Sequence, residues 1–163
     1  MTQSVEKNQP KRLFFIYNPK SGKGKIKSNL MDIIDIFVKA GFVVTVYPTQ
    51  ETGDATEQIK NMEPGFYDLV VCSGGDGTLD EVVAGMMQRE EKLPIGYIPA
   101  GSTNDFATSL GIPKEMVHAA AVAVNGSPFS CDVGWFNGNN FVYVAAFGLF
   151  TEGLAKFDEY YEK

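Results

Sequence analysis

Leu13 to Tyr17 is a short apolar run rich in aromatic and β-branched residues, and it breaks at Asn18-Pro19 into a stretch of glycine and lysine. Such a run predicts a strand that empties into a loop. Ile26, Leu30, Ile33, Ile34 and Phe37 then recur at helical spacing, with Gly41 placed to stop the helix. The scheme repeats. Phe42 to Tyr47 reads as a strand, Pro48 to Gly53 as a loop and Asp54 to Met62 as a short helix. A third strand, Asp68 to Ser73, holds the unbroken run Leu69-Val70-Val71-Cys72, which suits a parallel strand covered on both faces. After Gly74 to Gly77, the residues Leu79, Val82, Val83 and Met86 line one helical face. Pro94 to Ile98 predicts a fourth strand, Thr103 to Leu110 a short helix, and Lys114 to Val124 an alanine-rich helix.

Four strand–helix alternations predict an α/β domain of Rossmann-like, three-layer form, a parallel sheet with right-handed crossovers and helices on both faces. Past residue 126 the grammar changes. Phe129 to Phe136 and Phe141 to Phe147 read as two strands joined across Asn137 to Asn140, a hairpin in place of a further strand–helix unit. An isolated hairpin is marginal in water, so the expected organisation is a frayed tail at 1–11, an α/β domain at 12–126, and the incomplete start of a β-rich domain at 127–163.

Composition narrows the classes. The 163 residues are 44% hydrophobic, enough for one sizeable core, and the net charge of -6 argues against non-specific nucleic-acid binding. The longest nearly unbroken apolar run, Phe141 to Phe150, is about half a bilayer span. With no apolar leader near Met1, a cytoplasmic protein is expected, and peripheral lipid contact stays open. Cys72 and Cys131 lack metal-ligand spacing and are expected to be buried, reduced and inert. The single histidine, His118, is given no role.

Ligands of open parallel sheets bind beyond the carboxyl ends of the strands, where this chain places four special loops. They are Asn18 to Gly24, Thr49 to Ala55, Gly74 to Thr78 and Pro99 to Asp105. In the third, Gly74, Gly75 and Gly77 are expected to reach positive φ and to turn their N–H groups toward phosphate. Asp76 is the anomaly of that loop. It either organises phosphate through a divalent cation such as Mg²⁺, or it caps a helix or turn. The P-loop ending is absent, and Asp80 occupies the place of the last glycine of a dinucleotide fingerprint beginning at Gly75. Lys20, Lys23, Lys25 and Lys27 crowd a helix start, where only a nearby anion makes cations favourable. Ser21 and Ser102 can donate hydroxyl hydrogen bonds to phosphate.

Together, Asn18-Pro19-Lys20-Ser21-Gly22, Gly74-Gly75-Asp76-Gly77-Thr78 and Gly101-Ser102-Thr103-Asn104-Asp105-Phe106-Ala107 resemble the catalytic-domain family of bacterial diacylglycerol kinases, sphingosine kinases and ceramide kinases, over about residues 12 to 150. The resemblance implies a nucleotide domain followed by a β-rich domain, with ATP between them. By motif it implies ATP contacts at Asn18, Pro19, Lys20, Ser21, Gly22, Thr49, Gly74, Gly75, Asp76, Gly77, Thr78, Leu79, Asp80 and Ser102. It gives Asp76 the catalytic arrangement of phosphates, water and Mg²⁺. Asp80 and Tyr143 depart from it, each standing where the family commonly has Asn. The family's general base and structural Mg²⁺ site belong to the second domain, so no resident metal ligand is assigned here. The implied activity is transfer of the ATP γ-phosphate to a lipid hydroxyl, most plausibly diacylglycerol, by a protein at the membrane surface. This chain is expected to bind nucleotide without turnover, and homo-oligomerisation is left open. A nucleotide-sensing regulator that keeps the fold, or an NAD kinase-like enzyme, is the alternative.

Overall fold

The computed structural model describes residues 9–128, 130–136 and 139–142. Four parallel strands, β1 (Lys11–Tyr17), β2 (Phe42–Pro48), β3 (Leu69–Gly74) and β4 (Ile95–Pro99), lie in the order β2-β1-β3-β4. Strand β1 pairs with both β2 and β3, so the chain leaves β1 toward one edge and returns to its other side. The crevice between β1 and β3 is therefore the topological switch point of the sheet.

Strict alternation along β1 divides the core into two layers. Leu13 and Phe15 face α1 (Ile26–Lys39) and α5 (Met116–Asn125), where Phe15 meets Phe37 edge-to-face at 5.3 Å. Phe14 and Ile16 face the opposite layer, α2 (Asp54–Lys60) and α3 (Asp76–Met87). Strand β3 is buried along its whole length, as its continuous apolar run requires. Cys72 lies in it with no exposure, and burial raises its thiol pKa, so it acts as a small hydrophobe. Cys131, by contrast, is exposed, against the expectation from sequence. It precedes β5 on an irregular segment. Buried Arg89 donates to the carbonyls of Ile59 and Met62 at 3.1 and 2.7 Å, tying the end of α2 to the end of α3.

The last helices are shorter than the apolar pattern suggests. The short α4 spans Asp105–Ser109, because the amide of Asn104 pairs with both the N–H and the C=O of Gly101 and holds 101–104 as a loop. Helix α5 starts at Met116 because the Glu115 carboxylate caps Val117 and His118. His118 points outward beside Glu115, away from every loop discussed below.

The hairpin exists with a different register from the expected one. Strands β5 (Gly134–Phe136) and β6 (Asn139–Phe141) pair Gly134 with Phe141 and Phe136 with Asn139. Only Asn137-Gly138 separates them, and Asn-Gly is the pair that two-residue hairpin loops select. Asn139 and Asn140 thus belong to a strand. Trp135 is 64% exposed among the described residues. The expectations for Tyr143 and for a strand running to Phe147 lie outside the described residues.

At the switch point, Gly22 has φ +54°, and a Cβ built on it would stand 2.0 Å from the Ala100 carbonyl oxygen. Gly22→Ala therefore combines left-handed backbone strain with a backbone clash, and should cost about 2–3 kcal/mol in denaturant unfolding.

Candidate functional site

Four loops meet on one rim of the sheet. The first is anchored where Asn18 N–H donates to the Ser73 carbonyl at 2.9 Å, and its Oδ1 turns the chain by accepting from Lys20 N–H at 2.9 Å. Gly22, Lys23 and Gly24 follow with φ of 54°, 62° and 77°. Three successive left-handed residues, one of them lysine, make a strained turn that the surrounding contacts hold in place. Lys20, Lys23, Lys25 and Lys27 are exposed, and none makes an ion pair among the described residues.

The loop after β2 is held by Asp54. Its carboxylate accepts from Gln50 N–H at 2.8 Å and from the Tyr47 hydroxyl at 3.1 Å, while Thr49 N–H donates to the Tyr17 carbonyl at 2.9 Å. Burial, and secondarily Asp54, raises the Tyr47 pKa, so the hydroxyl stays a donor.

The loop after β3 differs from expectation in its dihedrals. None of Gly74, Gly75 and Gly77 has positive φ, because helix α3 begins at once and Gly75 sits extended at its N-cap. Gly74, and Gly101 of the loop after β4, are needed for close approach instead. A Cβ at Gly74 would lie 2.4 Å from the Thr78 side chain, and one built on Gly101 would lie 2.6 Å from the Gly75 Cα. Gly77 would meet nothing within 4 Å, so nothing packed against it in the described chain demands a glycine there.

Among the described residues no side chain caps α3; Thr78 N–H donates to the Gly75 carbonyl at 3.0 Å, and the N–H groups of Asp76 and Gly77 are left uncapped at the positive end of the helix. Asp76 divides its two oxygens. Oδ2 accepts from Asp105 N–H at 3.2 Å, whereas Oδ1 is buried with no partner among the described residues. The Ser73 hydroxyl is likewise buried and unpartnered among them. One oxygen thus ties α3 to the start of α4, and the other is left as an open acceptor among the described residues.

Beside this junction lies a cleft of about 160 Å³, lined by Asn18, Lys20, Thr49, Gln50, Glu51, Thr52, Thr78 and Glu81. Glycine loops, a strained lysine turn and an orphaned carboxylate oxygen thus share the switch point of a parallel sheet. The sequence matches the family described as Diacylglycerol kinase catalytic domain over residues 12–136.

The chain belongs to that family.

The diacylglycerol kinase of Bacillus subtilis (strain 168) is 40% identical over 143 residues, 87% of this chain and 47% of that protein. The diacylglycerol kinase of Staphylococcus carnosus (strain TM300) is 39% identical over 142 residues, 87% of this chain and 46% of that protein. A crystal structure of a diacylglycerol kinase from Bacillus anthracis str. Sterne superposes with a TM-score of 0.74 at 32% identity, covering 84% of this chain and 47% of that one. The chain therefore spans about half the length of the curated relatives it matches.

Within this diacylglycerol kinase domain, the motif residues fall into separate groups. Asn18, Lys20, Thr49 and Thr78 line the cleft. Pro19, Ser21 and Gly22 form the turn beside it, and Gly74, Gly75 and Gly77 make the junction with α3. The Leu79 side chain is buried in the layer between α2 and α3, so only its backbone could reach a ligand. Ser102 is exposed on the loop before α4 and does not line the cleft. Gln50, Glu51, Thr52 and Glu81 line it unforeseen, and Asp54 holds its wall. The loop 49–55 carried the signal for most of these, but Glu81 shows only once the helix is placed.

Asp80, one of the two departures from the family pattern, lies off the cleft. Its Oδ1 accepts from Val142 N–H at 3.2 Å, joining α3 to the residue after β6. Burial raises its pKa to about 6, opposed by the Val142 hydrogen bond and aided by the charge of Asp76. Burial also raises the Tyr97 pKa, with the charges of Asp76 and Asp80 adding to it, so its hydroxyl remains the donor to the Gly74 carbonyl at 3.1 Å. The folded state holds the Asp80 proton more tightly than the unfolded chain between about pH 4 and pH 6. Stability should therefore fall as pH rises through that window. Asp80→Asn keeps an acceptor for Val142 and removes the charge, so thermal melts should show it more stable than the parent at pH 8, with the gain gone near pH 4.

Proposed function

We propose that this chain is the nucleotide-binding half of an ATP-dependent lipid kinase that phosphorylates a lipid hydroxyl, with diacylglycerol as the acceptor and phosphatidic acid as the product. The observation that carries the reading is the uncapped start of α3 at the switch point, with the buried, unpartnered Asp76 Oδ1 beside it. A polyphosphate suits the helix N-terminus, and the open space over Gly77 admits it. Lys20 and Lys23 supply cations that no carboxylate among the described residues occupies.

The same residues fit Mg²⁺. Among the described residues no three His, Cys, Asp or Glu side chains converge, so a cation at Asp76 would take most of its ligands from phosphate and water, as Mg²⁺ in nucleotide sites does. When bound, MgATP supplies the transferable phosphoryl group and the charge that offsets it. The protein's share is positioning. The turn 18–24 and the first turn of α3 hold the phosphates, Asp76 orients what binds its free oxygen, and the Asp54-braced loop fixes the cleft wall. Lipid specificity and the proton-accepting base belong to the half of the relatives' length that this chain does not span. The described chain should accordingly bind nucleotide without turnover. No helix of the described residues is long and apolar enough to cross a membrane; the lipid acceptor would be met at a membrane surface.

Calorimetry of the 163-residue chain with MgATP tests the reading, together with a radiolabelled-ATP assay on diacylglycerol vesicles. Binding without phosphorylation is expected, and turnover by the chain alone would overturn the placement of the base. Replacing Lys20 and Lys23 together by Ala should weaken MgATP binding by about tenfold or more. Asp76→Asn should keep the contact to Asp105 N–H and a normal melting curve. It should also remove most of the increase in ATP affinity that Mg²⁺ brings, and an unchanged Mg²⁺ effect would reduce Asp76 to a turn residue.

A further inference from the structure

Strand β2 stands at one end of the sheet order, so one of its backbone edges meets no strand among the described residues. Which groups face out follows from its pairing with β1. Thr49 N–H donates to the Tyr17 carbonyl at 2.9 Å and Pro48 stands in register with Tyr17, so the odd-numbered residues of β2 turn their backbone groups toward β1. Phe42, Val44 and Val46 therefore present N–H and C=O outward. Pro48 ends the row, because it has no N–H and its carbonyl accepts from Gln50 Nε2 at 2.7 Å. An exposed edge is normally blunted by a charge, a proline or a bulge. Phe42 to Val46 holds none of these, and its register with β1 runs unbroken.

The helix beside this edge is bare as well. Helix α5 packs on β4 and α1 on β2, so the side of α1 turned away from α5 overhangs the open edge. Asn29 marks the α5 side, its amide reaching Met116 Sδ at 3.7 Å, while Ile26, Ile33 and Phe37 lie on the sheet. At about 100° per residue, Met31 and Val38 fall roughly opposite Asn29, with Ile34 beside them. These three belong to neither core layer, and Met31 and Val38 are 77% and 55% exposed. Asp35 and Lys39, next to them, pair with each other and leave no uncompensated charge there.

We propose that this edge is an interface for a second copy of the chain, β2 lying antiparallel to β2 about a twofold axis at Val44. The open row is self-complementary about that residue. Val44 meets Val44 of the other copy, and Phe42 and Val46 meet each other on both sides, so every outward N–H and C=O of the row finds a partner. Pro48 falls beyond the paired row and interrupts nothing. Directly paired residues put their side chains on one face, so the two α1 helices come together over the joined sheet and their apolar stripes cover one another. A lipid surface would cover the stripe and leave the edge groups without hydrogen-bond partners. An unrelated extended segment would satisfy the edge and leave the stripe bare. A second copy covers both.

Sedimentation equilibrium of the 163-residue chain should show a dimer at about 100 µM that dissociates on dilution. Val44→Pro removes an N–H that pairs with nothing else among the described residues, at an edge position where proline is tolerated, and should give a folded monomer. Met31→Glu combined with Val38→Glu changes exposed positions only. It should keep the parent's circular dichroism and weaken the dimer by about tenfold or more. Cross-linking reads the register separately. In a Cys131→Ser background, Val43→Cys with Thr45→Cys places cysteines in opposed, non-hydrogen-bonded pairs, whose Cα separation of about 4.5 Å suits a disulfide. Mild oxidation should then give a covalent dimer joined from position 43 to position 45. A parent chain that stays monomeric at that concentration would overturn the proposal. So would a dimer that survives both the proline and the glutamate variants, or one that cross-links in no such register.

Discussion

The site depends on backbone lying against backbone without side chains between. Gly22 presses on the Ala100 carbonyl, and Gly101 on the Cα of Gly75, so loops from β1, β3 and β4 share one junction. Any Cβ at these contacts would hold the loops apart. Each loop alone is ordinary turn chemistry. The shared junction turns the helix start after β3 and the lysine turn after β1 toward one space, and the switch point of the sheet leaves that space open.

This constraint explains where strain is tolerated. Among the described residues, Lys23 and Asn104 are the non-glycine residues with positive φ, at 62° and 52°, and both sit in loops of the junction. Asn104 repays its conformation locally through two hydrogen bonds to Gly101. Lys23 has no such hydrogen bonds among the described residues, and its turn is held by the close approach of Gly22 to the Ala100 carbonyl. Strain of this kind gathers at ligand sites because a relaxed turn would not present its cations in the same direction.

The α/β architecture was legible because both periods were plain, a buried run at 69–72 for a central parallel strand and helical spacing at 26–37 for a covering helix. The loops were legible as places, not as shapes. Glycine in a phosphate loop suggests positive φ, yet Gly74 and Gly75 serve contacts with Thr78 and Gly101, residues 4 and 26 positions away that no local rule connects. The hairpin register failed for the opposite reason. A local rule was available in Asn137-Gly138, and the longer polar stretch Asn137 to Asn140 hid it. Glu81 escaped because a single glutamate on a helix looks like a solvated face until the neighbouring loop is placed beside it.

Helix α3 shows how one element can serve three tasks. At about 100° per residue, Leu79, Val82, Val83 and Met86 form a stripe on the core. Asp76 and Asp80 fall along one edge of that stripe, and Thr78 and Glu81 along the other, the two pairs roughly 150° apart. The acidic pair looks toward the start of α4 and the residue after β6, through Asp105 and Val142. The other pair looks into the cleft. A ligand laid across the helix start is therefore met from both sides by groups of fixed orientation, because the buried stripe between them prevents the helix from rolling. The first turn can stay uncapped for the same reason. Its stability comes from the stripe, not from its N-terminal hydrogen bonds, so those N–H groups are left for whatever the site binds.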